Sequence, residues 1–281
     1  MNFIKEHKQG FLNVAVALVL AVLMMGGFYT KAAPAETYEG SYDTPDLSQI
    51  EDLTEFSQGF EKSVVEGSYE DTFIKSLHND SRAFEYTPQN TAIMIQLMED
   101  KTSHFALINP EHTLTADFVP ELTGSGKGQM EQVAAKALDI MLKDAKNQGL
   151  VLNKQSGYRS FERQTSLYGN GSNEFRAAPG ASEHQTGLAM DLVNSAGVLE
   201  PALSTSPEAV WLLENAWKYG FVIRYTEEKA DITGYPAEWW HVRYVGKTLA
   251  YELYHSGMAY EEFYEICLIE AGLMEPEPYV N

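Results

Sequence analysis

The chain is short of cysteine and of positive charge. Its 281 residues include one cysteine, Cys267, and 20 basic residues stand against 40 acidic ones. A single cysteine excludes an intramolecular disulfide and a cysteine-rich metal cage, so any bound metal must draw its ligands from His, Asp or Glu. Cys267 stands in the apolar run Ile266 to Ile269 and reads as a small buried hydrophobe. A formal charge of −20 repels phosphate backbones and argues against nucleic acid as a partner. Otherwise it reads as a solubilising surface. Long apolar runs are scarce too. There is one, Phe11 to Tyr29, 19 residues broken only by Asn13. As a helix it would span roughly 28 Å, close to the ~30 Å hydrocarbon core of a bilayer. Lys5 and Lys8 precede it and Glu36, Glu39, Asp43 and Asp46 follow, which places the N-terminus in the cytoplasm and the rest outside. Residues 1–30 are therefore expected to be a cytoplasmic tail and single-pass membrane anchor. A cleaved signal peptide, with secretion, is the alternative, disfavoured by Lys31 within the small-residue site Thr30-Lys31-Ala32. No cysteine closely follows the run, which excludes a lipoprotein anchor.

What is present suits a folded domain: 44% hydrophobic and 12% aromatic residues supply a core. Residues 31–50, with Pro34, Gly40 and Pro45, read as a linker. Residues 51–103 read as a helical extension, from the spacing of Ile93, Met94, Leu97 and Met98. Residues 104–281 form the main domain. Within it Phe105 to Ile108 is expected as a short buried strand. Val133, Ala134, Ala137, Leu138, Met141 and Ala145 predict a helix over 129–148, stopped by Gly149. Strands are expected from Leu150, over Leu188 to Val193, Phe221 to Tyr225 and Trp240 to Val245, with a helix over Val210 to Trp217. Helices and strands mix without a β-α-β rhythm, so the fold expected is α+β, an antiparallel central sheet flanked by helices.

Two segments carry chemistry. In Ser182-Glu-His-Gln-Thr-Gly-Leu-Ala-Met-Asp191, the alternation of a strand puts Ala189, Asp191 and Val193 on one face. His184 precedes that strand at a turn permitted by Gly187, so His184 and Asp191 can converge on one ion. In Glu238-Trp-Trp-His241, His241 and Arg243 share a strand face, and Glu238 has the wrong parity and must sit on the preceding turn. His184, Asp191 and His241 would give a metal three protein ligands and leave one position open, the mark of catalytic zinc. Glu238 would then serve as general base. A third segment, Ser156-Gly-Tyr-Arg-Ser160, offers Arg159 as a fixed cation for an oxyanion, with Gln164 placed to hydrogen-bond substrate. Trp217, Trp239 and Trp240 read as core, and His78, His104, His112 and His255 receive no role.

These three segments resemble the VanY-like D-alanyl-D-alanine carboxypeptidases, zinc peptidases that share a fold with the hedgehog signalling domain. The patterns S-x-H-x-x-G-x-A-x-D and E-x-W-H stand here as Ser182 to Asp191 and Glu238 to His241, and S-G-Y-R-S as Ser156 to Ser160. The resemblance covers roughly residues 104–264 and includes Val119 to Leu122, Lys218 to Phe221 and Arg243 to Gly246. It implies zinc held by His184, Asp191 and His241, Glu238 as catalytic base, Arg159 as transition-state stabiliser, and Ser182 and Gln164 in binding the peptide terminus. The implied substrate is a peptidoglycan stem peptide or muropeptide, from which the terminal D-alanine is removed outside the cell membrane. L,D-carboxypeptidase action on tetrapeptide stems is the alternative on the same chemistry. A non-catalytic muropeptide sensor is the alternative of another class, disfavoured because Glu238 and all three ligands are intact. Ala237 and Trp239 depart from the family, standing where many relatives carry an aromatic residue and a proline.

Overall fold

The computed structural model describes residues 64–169, 176–199 and 204–276. The expected anchor (1–30) and linker (31–50) lie outside them, as does the start of the helical extension. No helix among the described residues is long and apolar enough to cross a membrane.

Two helices come first, α1 (Tyr69–Asn79) and α2 (Pro88–Glu99), opened by the caps Ser68 and Thr87, whose side chains accept from the Asp71 and Asn90 amides. A short ribbon, β1 (Leu122–Thr123) and β2 (Met130–Glu131), leads into α3 (Gln132–Asn147). There follow β3 (Asn153–Ser156), α4 (Phe161–Tyr168), β4 (Ala189–Val193), α5 (Pro207–Asn215), β5 (Phe221–Ile223), α6 (Ala230–Thr233), β6 (His241–Tyr244), α7 (Lys247–Ser256) and α8 (Tyr260–Glu270). The main sheet has the order β3-β4-β6-β5 and every neighbouring pair is antiparallel. The α+β architecture is the one expected.

The pleat decides what lies on each face of this sheet. Met190 and Leu192 of β4 and Val242 and Tyr244 of β6 point into a core shared with Val133, Ala134, Ala137, Leu138 and Met141 of α3 and Leu212 of α5. The alternate positions, Asp191 on β4 and His241 and Arg243 on β6, therefore face the other way. The register pairs Asp191 directly with His241. A second core joins the helical extension to the chain's end: Phe73, Ile74 and Leu77 of α1 and Met94 and Leu97 of α2 cluster with Leu249 and Leu253 of α7 and Phe263 and Cys267 of α8. Trp217, Val222 and Val245 complete it, so this core abuts β5 and the end of β6.

One expected strand is absent. Phe105 to Ile108 is fully buried but joins neither sheet. Side chains and turns take its peptide groups instead. The Ala106 carbonyl accepts from Arg243 Nη2 at 2.7 Å, the Leu107 carbonyl from Lys101 Nζ at 3.1 Å, and the Phe105 carbonyl from the Tyr260 hydroxyl. The strand expected from Leu150 begins only at Asn153.

Candidate active site

His184 rides on a single 3₁₀ turn, Glu183–Thr186, which Gly187 closes in the left-handed region at φ 73°. A Cβ at Gly187 would lie 2.8 Å from Leu122 Cδ2 and 3.0 Å from the Glu131 amide nitrogen, so glycine is needed for space as well as for φ. The turn is held against the Ser156–Ser160 segment by two bonds. The Arg159 amide donates to the His184 carbonyl at 3.1 Å, and His184 Nδ1 lies 2.8 Å from the Gly157 carbonyl. That carbonyl can only accept, so Nδ1 carries the proton and Nε2 presents its lone pair to Asp191 Oδ1, 3.3 Å away.

His241 is fixed the same way from the opposite side. Its Nε2 lies 3.0 Å from Glu183 Oε2, and its Nδ1 faces Asp191 Oδ1 at 3.1 Å. The two imidazoles meet edge to face at 5.0 Å. His184, Asp191 and His241 are all buried, and one ligand atom of each lies within 4.8 Å of the others.

The electrostatics favour a positive charge here. Burial opposes ionisation of Asp191, yet the two histidines beside it hold its carboxyl far below the ordinary carboxylate range. Burial disfavours a charged His241 as well, but its bonds to Asp191 and Glu183 raise it to about 9. Without a metal, a proton is drawn between His241 and Asp191. A dication in the same place would displace it. Two nitrogens and one carboxylate oxygen, each histidine oriented by an acceptor on its outer nitrogen, are the donors that zinc takes in catalytic sites. The residues fit the metal.

Glu238 is reached through the turn the parity argument requires. Its amide donates to the Tyr225 carbonyl at 2.9 Å, and its own carbonyl accepts from the His241 amide at 3.1 Å. Burial, with a further push from Asp191, raises its carboxyl to about 7 against the opposing pull of His241 and Arg159. Arg159 also faces the cluster, with Nη2 3.8 Å from Asp191 Oδ2 and 3.3 Å from Ser156 Oγ, and Nη1 donating to Gln164 Oε1 at 2.8 Å. The fold thus gathers Arg159, His184, Asp191, Glu238 and His241 in one place. Gln164 is buried, with Nε2 donating to the Ala177 carbonyl and Oε1 engaged by Arg159. Ser182 is buried at the head of the 3₁₀ turn. Trp239 and Trp240 pack into the sheet core, as read from sequence.

Sequence reasoning passed over Glu183, although it stands inside the first motif. It has no exposed side-chain surface, accepts from Arg224 Nε and Arg243 Nη1 at 3.0 Å each, and buttresses His241. The one available signal was Arg243, a charged residue placed by parity on the same face as His241.

The fold is that of an antiparallel α+β domain in which Asp191 and His241 share one sheet face and His184 reaches them from the turn before β4, a buried group that could hold a metal ion. Residues 127–247 match the VanY, D-alanyl-D-alanine carboxypeptidase, family model. The chain is 35% identical over 192 residues to the putative carboxypeptidase YodJ of Bacillus subtilis (strain 168), covering 61% of this chain and 70% of that one. Among solved structures, the LdcB LD-carboxypeptidase superposes with a TM-score of 0.56 at 36% identity, over 59% of this chain and 86% of that one. VanYB in complex with D-alanine-D-alanine does so at 0.51 and 30%, over 57% and 96%. A VanY variant in complex with Zn(II) does so at 0.50 and 31%, over 56% and 96%. The chain belongs to the VanY family of D-alanyl-D-alanine carboxypeptidases.

Proposed function

We propose that this protein is a zinc-dependent D-alanyl-D-alanine carboxypeptidase that removes the terminal D-alanine from peptidoglycan stem peptides. The observation that carries the reading is the buried convergence of His184, Asp191 and His241, with Glu238 and Arg159 in electrostatic contact with that cluster. His184 Nε2, Asp191 and His241 Nδ1 would hold the metal. When bound, zinc supplies Lewis acidity, polarising a carbonyl and making water nucleophilic near neutral pH. Glu238, raised to about 7, is matched to taking a proton from the attacking water at that pH. It then delivers the proton to the departing D-alanine nitrogen as the peptide C–N bond breaks. Arg159, held in direction by Gln164 and Ser156, faces the negative charge that develops on the carbonyl oxygen. Gln164 has both its polar groups bonded within the protein, so it acts on the reaction through Arg159. Ser182, on the turn that carries His184, is assigned to the substrate's terminus. The apolar run at 11–29 and the acidic sequence after it support an extracytoplasmic domain tethered to the membrane.

A second reading moves the bond and keeps the chemistry. The likeness to the LdcB LD-carboxypeptidase favours action on tetrapeptide stems as well. The purified protein is incubated with stem pentapeptide and tetrapeptide, and alanine release is followed by mass spectrometry. Zinc-dependent release from the pentapeptide is expected. Release from the tetrapeptide alone would overturn the D,D assignment in favour of the L,D one, and release from neither would overturn both.

A further inference from the structure

Glu183 is one link in a longer chain of buried charge. Arg224, which follows β5 and is 2% exposed, donates from Nε to Glu183 Oε1 and forks onto Glu261 with Nη2 to Oε1 at 2.7 Å and Nη1 to Oε2 at 3.1 Å. Glu261 lies in the first turn of α8, 15% exposed. Complementing the helix terminus is already the task of its neighbour, because Glu262 accepts from the Ala259 amide at 2.8 Å. The Glu261 carboxylate is turned instead toward Arg224 and accepts from Asn109 Nδ2 at 3.2 Å. A continuous line of contacts thus runs from α8 through Glu261, Arg224 and Glu183 to His241 Nε2 and on to Asp191.

We propose that Glu261 is a positioning residue for the metal centre, acting through Arg224 and Glu183 on the ring of His241. This rests on the zinc reading above. Two arginines and two carboxylates balance in this cluster. Removing the Glu261 charge leaves Arg224 with Glu183 as its sole bonded carboxylate and leaves a surplus positive charge close to a site built for a dication. Arg224 then draws Glu183 away from His241 Nε2, which loosens the ring and makes its Nδ1 a poorer donor. Both effects weaken metal binding. The C-terminal helix thereby sets the strength of a site to which it gives no ligand.

The test is zinc affinity, measured by competition with a chromogenic chelator, together with the visible spectrum of the cobalt-substituted protein. Three full-length proteins are compared: the parent, Glu261→Gln and Phe263→Leu. Phe263 follows Glu261 by two residues on α8 and is buried in the second core, so its variant reports a merely structural loosening of α8. Glu261→Gln is expected to bind zinc on the order of tenfold more weakly, with a shifted cobalt spectrum. Phe263→Leu is expected to melt lower and bind zinc like the parent. Equal zinc affinity in Glu261→Gln and the parent, or an equal loss in Phe263→Leu, overturns the positioning role and leaves the zinc reading standing. A parent protein that binds no zinc overturns both.

Discussion

In the proposed reaction Gln164 serves without meeting the substrate. Its side chain is buried, donates to one backbone carbonyl and accepts from Arg159, so it fixes the direction of a cation whose own side chain is 21% exposed. Gln164→Ala is expected to lower kcat by roughly tenfold to a hundredfold, less than direct loss of an oxyanion donor, with zinc content unchanged. Steady-state kinetics beside metal analysis check this, and an effect confined to KM contradicts it. The convergence of His184, Asp191 and His241 was legible in the sequence because residue types and spacing suited to a metal coincide with strand parity. Glu183 was not. A glutamate in a polar motif reads as a solvated side chain, and its burial depends on Arg224 and Arg243, which come from elements distant in sequence.

At the scale of elements, β2 and α3 meet at Glu131, which ties the turn that carries His184 to the main helix. Its amide donates to the Gly187 carbonyl at 2.9 Å, while Oε2 caps α3 by accepting from the Val133 amide at 2.7 Å. Burial opposes its ionisation, but His104, 3.4 Å away, and the helix amides prevail and hold its carboxyl below the ordinary 4.5. A depressed carboxyl contributes stability that is present above about 4.5 and is lost as pH falls through the lower, folded value. Glu131→Gln is therefore expected to cost about 1 kcal/mol at neutral pH and to flatten the loss of stability on acidification. Urea unfolding between about pH 7 and about pH 3 measures both, and an unchanged acid limb would contradict the assignment. The α3 helix itself was legible from its three-and-four spacing. The run Phe105–Ile108 was misread because a short apolar segment fits a strand or a buried loop equally well. What separates them here is that Arg243, Lys101 and Tyr260 arrive from elsewhere to take its carbonyls.

For the whole molecule, the α+β class and the sheet that carries the site followed from sequence, since period-two and period-three-to-four patterns report local structure. The second core did not, because nothing local says that α1 and α2 cover α7 and α8. That arrangement braces the end of β6 and anchors the helix from which Glu261 reaches Arg224. In the proposed chemistry, metal held by His184, Asp191 and His241 and a proton carried by Glu238 together cleave the peptide bond. This chemistry is tested most directly by measuring D-alanine release from stem pentapeptide by zinc-loaded Glu238→Ala protein, beside the zinc-loaded and the chelated parent. Equal zinc content is expected in the two loaded proteins, with no release by the chelated parent and at least a ~10²-fold slower release by the variant. Release by zinc-loaded Glu238→Ala at the parent's rate, or by the chelated parent, would contradict this chemistry.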